Sequence, residues 1–304
     1  MNMHNTFELV INWHFTEACN YACDFCFAKW DKQGRKELFH DEYLTDKLLD
    51  EVFELKTILE GEQNTKFDGV RLNLVGGEIF LYKAKAIHII KRAKSYGFRV
   101  SAITNGSRLD TELLSLIAEN LDWIGFSVDS TNHKTNLIIG RSEKNKVMDT
   151  DKVRSDIHAL RKLNTEIDIK INTVVNSNNF NEDLSGFIRD VNPSKWKVFK
   201  VLPSQGYTST ITDTMFSVFL DKHSDFKSII ASEDNNEMMD SYIMVDPLGR
   251  FFQNSNLTDG YVYSHPIVEI GVKKALSQIN FSFDKFLGRY NINEKLIDTV
   301  PRFT

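Results

Sequence analysis

The three cysteines of this chain, Cys19, Cys23 and Cys26, lie within eight residues and directly follow a predicted buried strand at residues 7–13. A secreted disulfide framework uses an even number of cysteines spread along the chain, so structural disulfides are excluded. The C-x3-C-x2-C spacing instead lets three thiolates of one loop each bind one iron of a cubane. We therefore predict a [4Fe–4S] cluster whose fourth iron has no protein ligand and is open to a small molecule.

Two other interpretations of the cysteines stay open at this point. A zinc ion would need a fourth ligand such as His14, although structural zinc sites usually take their ligands from two pairs that are separated in sequence. The cysteines could also be ordinary core residues, but the chain has no cysteine elsewhere. The aromatic Phe27 directly after the third cysteine favours the cluster.

Strand-like and helix-like segments alternate over the first two-thirds of the chain. Apolar runs predict five further strands, at residues 70–75, 98–104, 123–129, 168–175 and 195–202. Apolar periodicity predicts helices between them, at about 42–60, 83–97, 110–119, 149–163 and 181–190. This alternation indicates a parallel sheet with right-handed crossovers. Six units are too few for a closed eight-stranded barrel, so we expect an α/β fold, an open partial (βα)6 barrel, with its functional loops at the carboxyl ends of the strands.

The alternation ends at about residue 205. Residues 241–245 and 249–253 predict a hairpin around Asp246-Pro247, and a helix is expected at 267–278. No linker-like composition separates the two parts of the chain. We therefore expect residues 205–304 to be an extension that packs on the barrel of residues 1–204 within one structural unit.

Composition bounds the partners and the location. The net charge of −5 argues against general binding of nucleic acid, although basic groups gathered in one pocket can still bind an anion. No apolar run approaches the ~20 residues that span a bilayer. The N-terminal residues lack a basic region followed by an apolar core, so we expect a cytoplasmic protein without a secretory signal and without membrane partners.

Small and polar residues follow several strands at the edge that carries the cysteine loop. The set comprises Gly76, Gly77, Glu78, Asn105, Ser127 and Asp129. Two glycines let the backbone approach a ligand closely, and the Glu78 carboxylate can accept from an amino group. Each residue alone is typical of a turn or a cap. Together they predict a lining for S-adenosylmethionine (SAM), which can chelate the open iron through its amino and carboxylate groups.

Basic residues recur at strand positions where core residues are expected. In a strand, residues two apart share a face, so Lys195 and Lys197 point together, as do Lys170 and Asn172. An unpaired charge that faces inward is costly, so a converging set favours a diphosphate or triphosphate ligand. The alternative is that these side chains face solvent. The predicted set is Arg71, Arg141, Lys170, Lys195 and Lys197.

Several segments, taken in order, resemble those of viperin and its prokaryotic relatives. They include NWHFTEACNYACDFCF, LNLVGGEIF, ITNGS, SVDSTNHKTNLIIGR, KINTVVN, NPSKWKVFKVL, FLDKH and MMDSYIMVDPLGRFF. The resemblance covers nearly the whole barrel and continues beyond it. The cysteine spacing alone identifies only the radical SAM superfamily, whereas NPSKWKVFK, KINTVVN and DSYIMVD are far more specific to this family.

The resemblance implies an antiviral lyase that converts a nucleoside triphosphate to its 3′-deoxy-3′,4′-didehydro analogue, a chain terminator for polymerases. CTP is the family default, and UTP or GTP are possible. A 5′-deoxyadenosyl radical from SAM would remove the C4′ hydrogen, and the 3′-hydroxyl would leave as water with one further electron and a proton. We expect a flavodoxin- or ferredoxin-type electron donor and a monomeric enzyme.

The resemblance also assigns roles to single residues. Cys19, Cys23 and Cys26 would bind the cluster, and the strand-end carboxylates and polar groups would contact SAM. The five basic residues would hold the triphosphate. Asn12 and Asn172 would contact the nucleotide, and Tyr242 would donate a proton or a hydrogen bond near the 3′ end of the sugar.

This chain departs from the family pattern at three positions. Val75 and Ile79 replace the usual Ser and Pro around Gly-Gly-Glu, which removes a hydroxyl that could contact phosphate. Asn254 stands at about the position of a family cysteine. The alternative is a radical SAM enzyme that acts on a peptide or another phosphorylated substrate. Such enzymes usually carry further cysteines in a C-terminal extension, and no cysteine follows Cys26.

Overall fold

A computed structural model of the protein describes residues 7–31, 34–203, 210–256 and 260–289. Its main sheet has ten strands in the order β12-β11-β10-β1-β2-β3-β4-β7-β8-β9, and β5 and β6 form a separate small ribbon. The strands are β1 (Phe7–Thr16), β2 (Phe67–Gly76), β3 (Arg99–Thr104), β4 (Trp123–Ser127), β5 (Ser142–Glu143), β6 (Lys146–Val147), β7 (Asp168–Val175), β8 (Lys195–Lys200), β9 (Ile230–Glu233), β10 (Ile243–Val245), β11 (Arg250–Asn256) and β12 (Gly260–Pro266).

Helices connect the parallel strands and cover the sheet. They are α1 (Glu42–Gln63), α2 (Lys83–Ser95), α3 (Thr111–Asn120), α4 (His133–Ile138), α5 (Thr150–Leu163), α6 (Ser185–Val191), α7 (Asp213–Lys222), α8 (Asn235–Met238), α9 (Ile267–Ile270) and α10 (Val272–Leu276). Asp41, Asp110 and Asp149 accept hydrogen bonds from the first backbone N–H groups of α1, α3 and α5, which fixes where these helices begin. Among the described residues, no helix has the length and apolar character needed to cross a lipid bilayer.

The six central strands confirm the predicted parallel sheet, since β1, β2, β3, β4, β7 and β8 pair with one another in parallel. The predicted hairpin is present, with Val245 opposite Phe251. Two predicted helices were too long: the one at 181–190 begins only at Ser185, and the one at 267–278 is interrupted at Gly271.

The sequence pattern did not reveal how the later strands extend the sheet. β10 pairs in parallel with β1, with Asn12 opposite Met244, and β9 pairs in parallel with β8. The segment after residue 205 therefore adds strands to both edges of the six-stranded unit. Neither pairing leaves a local signal, because each joins segments that are far apart in the sequence.

Along the strands, side chains alternate between the hydrophobic core and a central cavity. In β1, Leu9, Ile11 and Trp13 are buried in the main hydrophobic core, whereas Asn12 and His14 line a central cavity. The cavity therefore lies on the inner face of the curved sheet, and the helices pack against the outer face. Every second residue of a central strand is in a position to contact a ligand.

Candidate active site

The cysteine loop follows β1 and is held by backbone hydrogen bonds on two sides. On one side, Gly77 N donates to Thr16 O at 2.7 Å and Glu78 N donates to Ala18 O at 2.9 Å. On the other side, Ala22 N donates to Gly140 O at 3.1 Å. These bonds fix the loop against the strand ends of the barrel. The conformation of the loop is thereby set by neighbouring segments of the fold.

The three thiols line the cavity and suit a cubane. Cys19 is exposed, and Cys23 and Cys26 are half-buried. Burial raises the pKa of Cys23 to about 12 and also raises that of Cys19, so these groups stay protonated until a metal displaces the proton. In the described chain, no three His, Cys, Asp or Glu side chains converge on one metal-ion position. A cubane does not need such convergence, because each thiolate binds a different iron.

The predicted SAM-contacting residues divide into two groups. Gly76, Gly77, Asn105 and Ser127 line the cavity near the cysteine loop, and Asn105 Nδ2 lies 3.9 Å from Cys19 Sγ. The side chains of Glu78 and Asp129 lie behind the cavity wall and are fully buried. The first group therefore lines the same cavity as the three thiols.

Glu78 holds the end of β3 in place. Its carboxylate accepts hydrogen bonds from Thr104 Oγ1 at 2.8 Å, from Asn105 N at 2.7 Å and from Phe80 N at 3.1 Å. Burial raises the pKa of Glu78, while these three donors favour its charged form. Direct contact between this carboxylate and SAM stays a prediction; the observed contacts position Asn105.

Asp129 holds Arg141 beside the cysteine loop. Its carboxylate accepts from Arg141 Nε at 2.6 Å and from Val174 N at 2.8 Å. The Arg141 guanidinium carbon lies 5.8 Å from the centroid of the Phe25 ring, within the loop. Sequence reasoning grouped Arg141 with the phosphate-binding residues, but the structure places it at the cluster end of the cavity.

The other predicted basic residues meet inside the barrel. Arg71, Lys170, Lys195 and Lys197 all line the cavity. Lys170 lies opposite Lys195 across the β7–β8 pair, and Asn172 lies opposite Lys197. These side chains point inward rather than toward solvent, as the alternation along the strands predicted.

Lys170 forms no ion pair of its own within the part of the chain that the structure describes. No hydrogen bond or ion pair joins its ammonium to the residues there. Burial lowers its pKa well below the ordinary lysine value, and the nearby charges of Lys197, Arg71 and Lys195 lower it further, against the opposing charge of Glu233. A buried, repelled ammonium of this kind favours an anionic ligand, because an anion would restore its charged form.

Two further basic residues line the same region and were not singled out from the sequence. Lys200 forms an ion pair with Asp213 at 2.5 Å, and Arg289 lies with its guanidinium carbon 3.4 Å from the centroid of the Tyr242 ring. Lys200 follows Lys195 and Lys197 along β8. No comparable pattern marks Arg289, which comes from a distant helical segment at 283–289.

A row of polar side chains crosses the floor of the cavity. Asn73 Nδ2 donates to Asn12 Oδ1 at 2.8 Å, and Ser101 Oγ donates to Asn73 Oδ1 at 2.8 Å. The three residues are neighbours in the register of β1, β2 and β3. The sequence analysis did not single out Asn73. It lies two residues after Arg71 and so shares its strand face, just as Asn172 shares the face of Lys170.

The remaining wall is apolar and adjoins Cys26. Ala28, Trp30, Met244 and Phe252 form a buried cluster, against which Cys26, Tyr242, Tyr261 and Tyr263 pack. Asn254 Oδ1 is buried at this wall without a hydrogen-bond partner among the described residues. The cavity of about 390 Å³ thus joins the thiols, an aromatic wall and a basic region.

Comparison with known proteins identifies the class of enzyme. Residues 13–191 match the family described as the Radical SAM superfamily, and the chain belongs to it. Among solved structures, native anSMEcpe with bound AdoMet matches with a TM-score of 0.62, at 14% identity, over 92% of this chain and 82% of that chain. Streptococcus suis SuiB bound to S-adenosylmethionine gives 0.56, at 13% identity, over 82% and 61%. These likenesses confirm the predicted fold.

Curated relatives identify the family within this superfamily. A Psychrobacter lutiphocae protein named S-adenosylmethionine-dependent nucleotide dehydratase is 50% identical, covering 95% of this chain and 98% of the relative. A Pseudoalteromonas ulvae protein of the same name is 39% identical, covering 95% and 96%. The chain belongs to this viperin-like family of nucleotide dehydratases, as the resemblance predicted. As a radical SAM enzyme it uses a [4Fe–4S] cluster and SAM.

Proposed function

We propose that this enzyme dehydrates a nucleoside triphosphate to the 3′-deoxy-3′,4′-didehydro analogue, with CTP as the first substrate to test and UTP and GTP beside it. One observation carries the proposal: the cavity that begins at the three thiols ends at buried and half-buried basic residues, which outnumber the one carboxylate, Glu233, that lines it among the described residues. A triphosphate supplies the missing negative charge. Its ribose would then lie between the basic region and the cluster.

We assign roles from these positions. Cys19, Cys23 and Cys26 would hold the cluster, which with SAM supplies the radical that takes the C4′ hydrogen. Gly76, Gly77, Asn105, Ser127 and Arg141 would contact SAM. Arg71, Lys170, Lys195 and Lys197 would bind the triphosphate, and Asn12 and Asn172 would contact the sugar. Tyr242, at the edge of the basic region, would donate a proton or a hydrogen bond when the 3′-hydroxyl leaves as water.

The proposed reaction also needs an electron donor. We infer a flavodoxin- or ferredoxin-type protein, because the reaction takes single electrons, and a monomeric enzyme. Cys19 is exposed, so the cluster loop reaches the protein surface where such a donor can approach.

The test is anaerobic incubation of the reconstituted enzyme with SAM, a chemical reductant and CTP, UTP or GTP in parallel. We expect at least one nucleotide to stimulate 5′-deoxyadenosine formation and to give a product lighter by one water in the mass spectrum. The Lys197→Ala variant is expected to retain its iron but to need more nucleotide. The proposal fails if no nucleotide raises 5′-deoxyadenosine formation above the uncoupled rate.

Nucleotide binding is expected to weaken as the pH rises through about 7. Burial lowers the pKa of Lys197 to about 7, against the opposing effect of Glu233. The ammonium is therefore charged below this pH and neutral above it, and a neutral amine no longer attracts phosphate. Affinity should fall by up to about tenfold per pH unit above the pKa.

Equilibrium binding between pH 6 and 9 checks this expectation. The Lys197→Ala profile is the control, because any slope that remains in it reports ionisation of the nucleotide itself. Identical slopes in the two proteins would contradict the assignment of the titration to Lys197.

A further inference from the structure

Glu233 is out of place in a site for a polyanion. Among the described residues that line the cavity, it is the sole carboxylate, beside the basic side chains of Arg71, Arg141, Lys170, Lys195, Lys197, Lys200 and Arg289. Its side chain is 8% exposed, so water screens its charge weakly. A carboxylate here repels phosphate, and its presence therefore requires a compensating role.

The contacts of Glu233 point to that role. One carboxylate oxygen accepts from Lys197 Nζ, and the other accepts from the Tyr242 hydroxyl. Lys197 Nζ also lies 2.9 Å from Tyr242 Oη, to which it donates. Glu233, Lys197 and Tyr242 thus form a closed triangle of hydrogen bonds. Arg289 covers the Tyr242 ring and lies 3.8 Å from the Glu233 carboxylate.

The triangle fixes the direction of each proton. In the nucleotide-free enzyme the phenol proton of Tyr242 is donated to Glu233, and the phenol oxygen accepts from Lys197. Donation to the leaving 3′-hydroxyl requires this O–H bond to turn from Glu233 while Lys197 still holds the oxygen. Without Glu233, the hydroxyl loses its carboxylate acceptor and the Lys197 ammonium loses its ion pair. Proximity of Lys197 and Arg289 favours the charged carboxylate despite its burial, so Glu233 stays an acceptor.

We propose that Glu233 is a positioning residue, which holds the Tyr242 hydroxyl and the Lys197 ammonium in one arrangement at the cavity wall during dehydration. The proposal rests on the proposed function, since it gives Tyr242 its place in that reaction. Glu233 acts through Tyr242; its charge repels the triphosphate but favours the ammonium form of Lys197. Its loss should therefore lower product yield even when nucleotide is saturating.

The experiment compares Glu233→Gln, Tyr242→Phe and the double variant with the wild-type enzyme. Glutamine keeps the size of the side chain and removes its charge. Glutamine removes the repulsion of the phosphate and also the charge that favours the ammonium form of Lys197, so turnover is compared at saturating nucleotide. The yield of dehydrated nucleotide per 5′-deoxyadenosine should fall about tenfold, as expected when a reacting group loses its orientation.

The double variant tests whether Glu233 acts through Tyr242. We expect Glu233→Gln to add no further loss of yield in the Tyr242→Phe background, where the hydroxyl is already absent. Asp221→Asn, an exposed carboxylate on α7, is the matched control and should behave as the wild type. Full additivity of the two losses, or an unchanged yield in Glu233→Gln at saturating nucleotide, would overturn the proposal.

A nucleotide-free measurement separates this inference from the proposed function. If Glu233 and Tyr242 contact each other, the changes in melting temperature of the two single variants do not add up to that of the double variant, even without substrate. Additive shifts overturn the positioning role whatever the enzyme turns over. A wild-type enzyme that dehydrates no nucleotide overturns the proposed function, and non-additive melting shifts would still support the contact.

Discussion

Replacing Lys170 by methionine is expected to weaken nucleotide binding by roughly 10- to 150-fold and to raise the melting temperature of the nucleotide-free enzyme. The loss of affinity follows from removing a charge-assisted hydrogen bond to phosphate, which is worth about 1.5–3 kcal/mol. The gain in stability follows from removing a desolvated ammonium that Lys197, Arg71 and Lys195 repel, against the attraction of Glu233. Relief of about 1 kcal/mol corresponds to roughly 2–4 °C in a domain of this size.

The stabilisation should depend on pH in a defined direction. The folded-state pKa of Lys170 is lower than its unfolded-state value, so the unfolded chain binds a proton that the folded chain rejects. This difference destabilises the fold most at low pH and disappears as the pH rises toward the ordinary lysine value. The advantage of Lys170→Met should therefore be larger at pH 6 than at pH 9.

Thermal unfolding at both pH values and nucleotide titration of the same preparations check this prediction. Lys91→Met, at an exposed position on α2, is the matched control and should change the free energy of unfolding by less than about 0.5 kcal/mol. A lower melting temperature for Lys170→Met would show that the ammonium has a stabilising partner. Unchanged affinity would remove Lys170 from the phosphate site.

Residues of the central strands were predictable because alternation is a local property. Lys170 and Asn172 lie two apart in a strand and alternate with the apolar residues Ile169 and Ile171, so an inward face could be assigned without a structure. Asn73 obeys the same rule relative to Arg71. What the sequence pattern shows is the face of a strand on which a residue lies.

The direction and partner of a side chain at a strand end were not predictable in this way. Glu78 and Asp129 follow strands at the expected edge, but nearby donors draw both carboxylates behind the wall. Arg141 follows a loop, and its ion pair with Asp129 brings it to the cluster end. Glu233 ends a strand of four residues at the sheet edge, too short to show alternation. Its role depends on contacts between segments that are distant in the sequence.

Replacing Gly77 by alanine is expected to abolish assembly of the cluster while leaving the barrel folded. A Cβ atom at this position would lie 2.1 Å from Ala18 O and 2.7 Å from Glu17 O. Ala18 immediately precedes Cys19, so relief of the clash must move the backbone that carries the first thiol. Gly140 is similar on the other side of the loop, where a Cβ would lie 2.1 Å from Ala22 O.

The expected loss of bound iron is large because the added Cβ, fixed to the backbone at residue 77, meets the backbone of Glu17 and Ala18. No rotamer change can relieve it, and the bonds from Gly77 N and Glu78 N to the loop must break or lengthen. Three thiolates hold one cubane only if their spacing is kept, so displacing one should reduce bound iron to a small fraction. SAM cleavage should then fall by at least about a hundredfold.

Iron and sulfide content after anaerobic reconstitution, with the visible absorbance of the cluster, measures the effect. Gly61→Ala is the matched control, since Gly61 lies in α1 with no atom within 4 Å of the added Cβ. That change should stabilise the fold by about 0.5–1 kcal/mol and leave the iron content unchanged. Full iron content in Gly77→Ala would mean that the loop can hold the cluster away from the β2 end. In that case the close approach of Gly77 to Ala18 would not be a requirement of the cluster site.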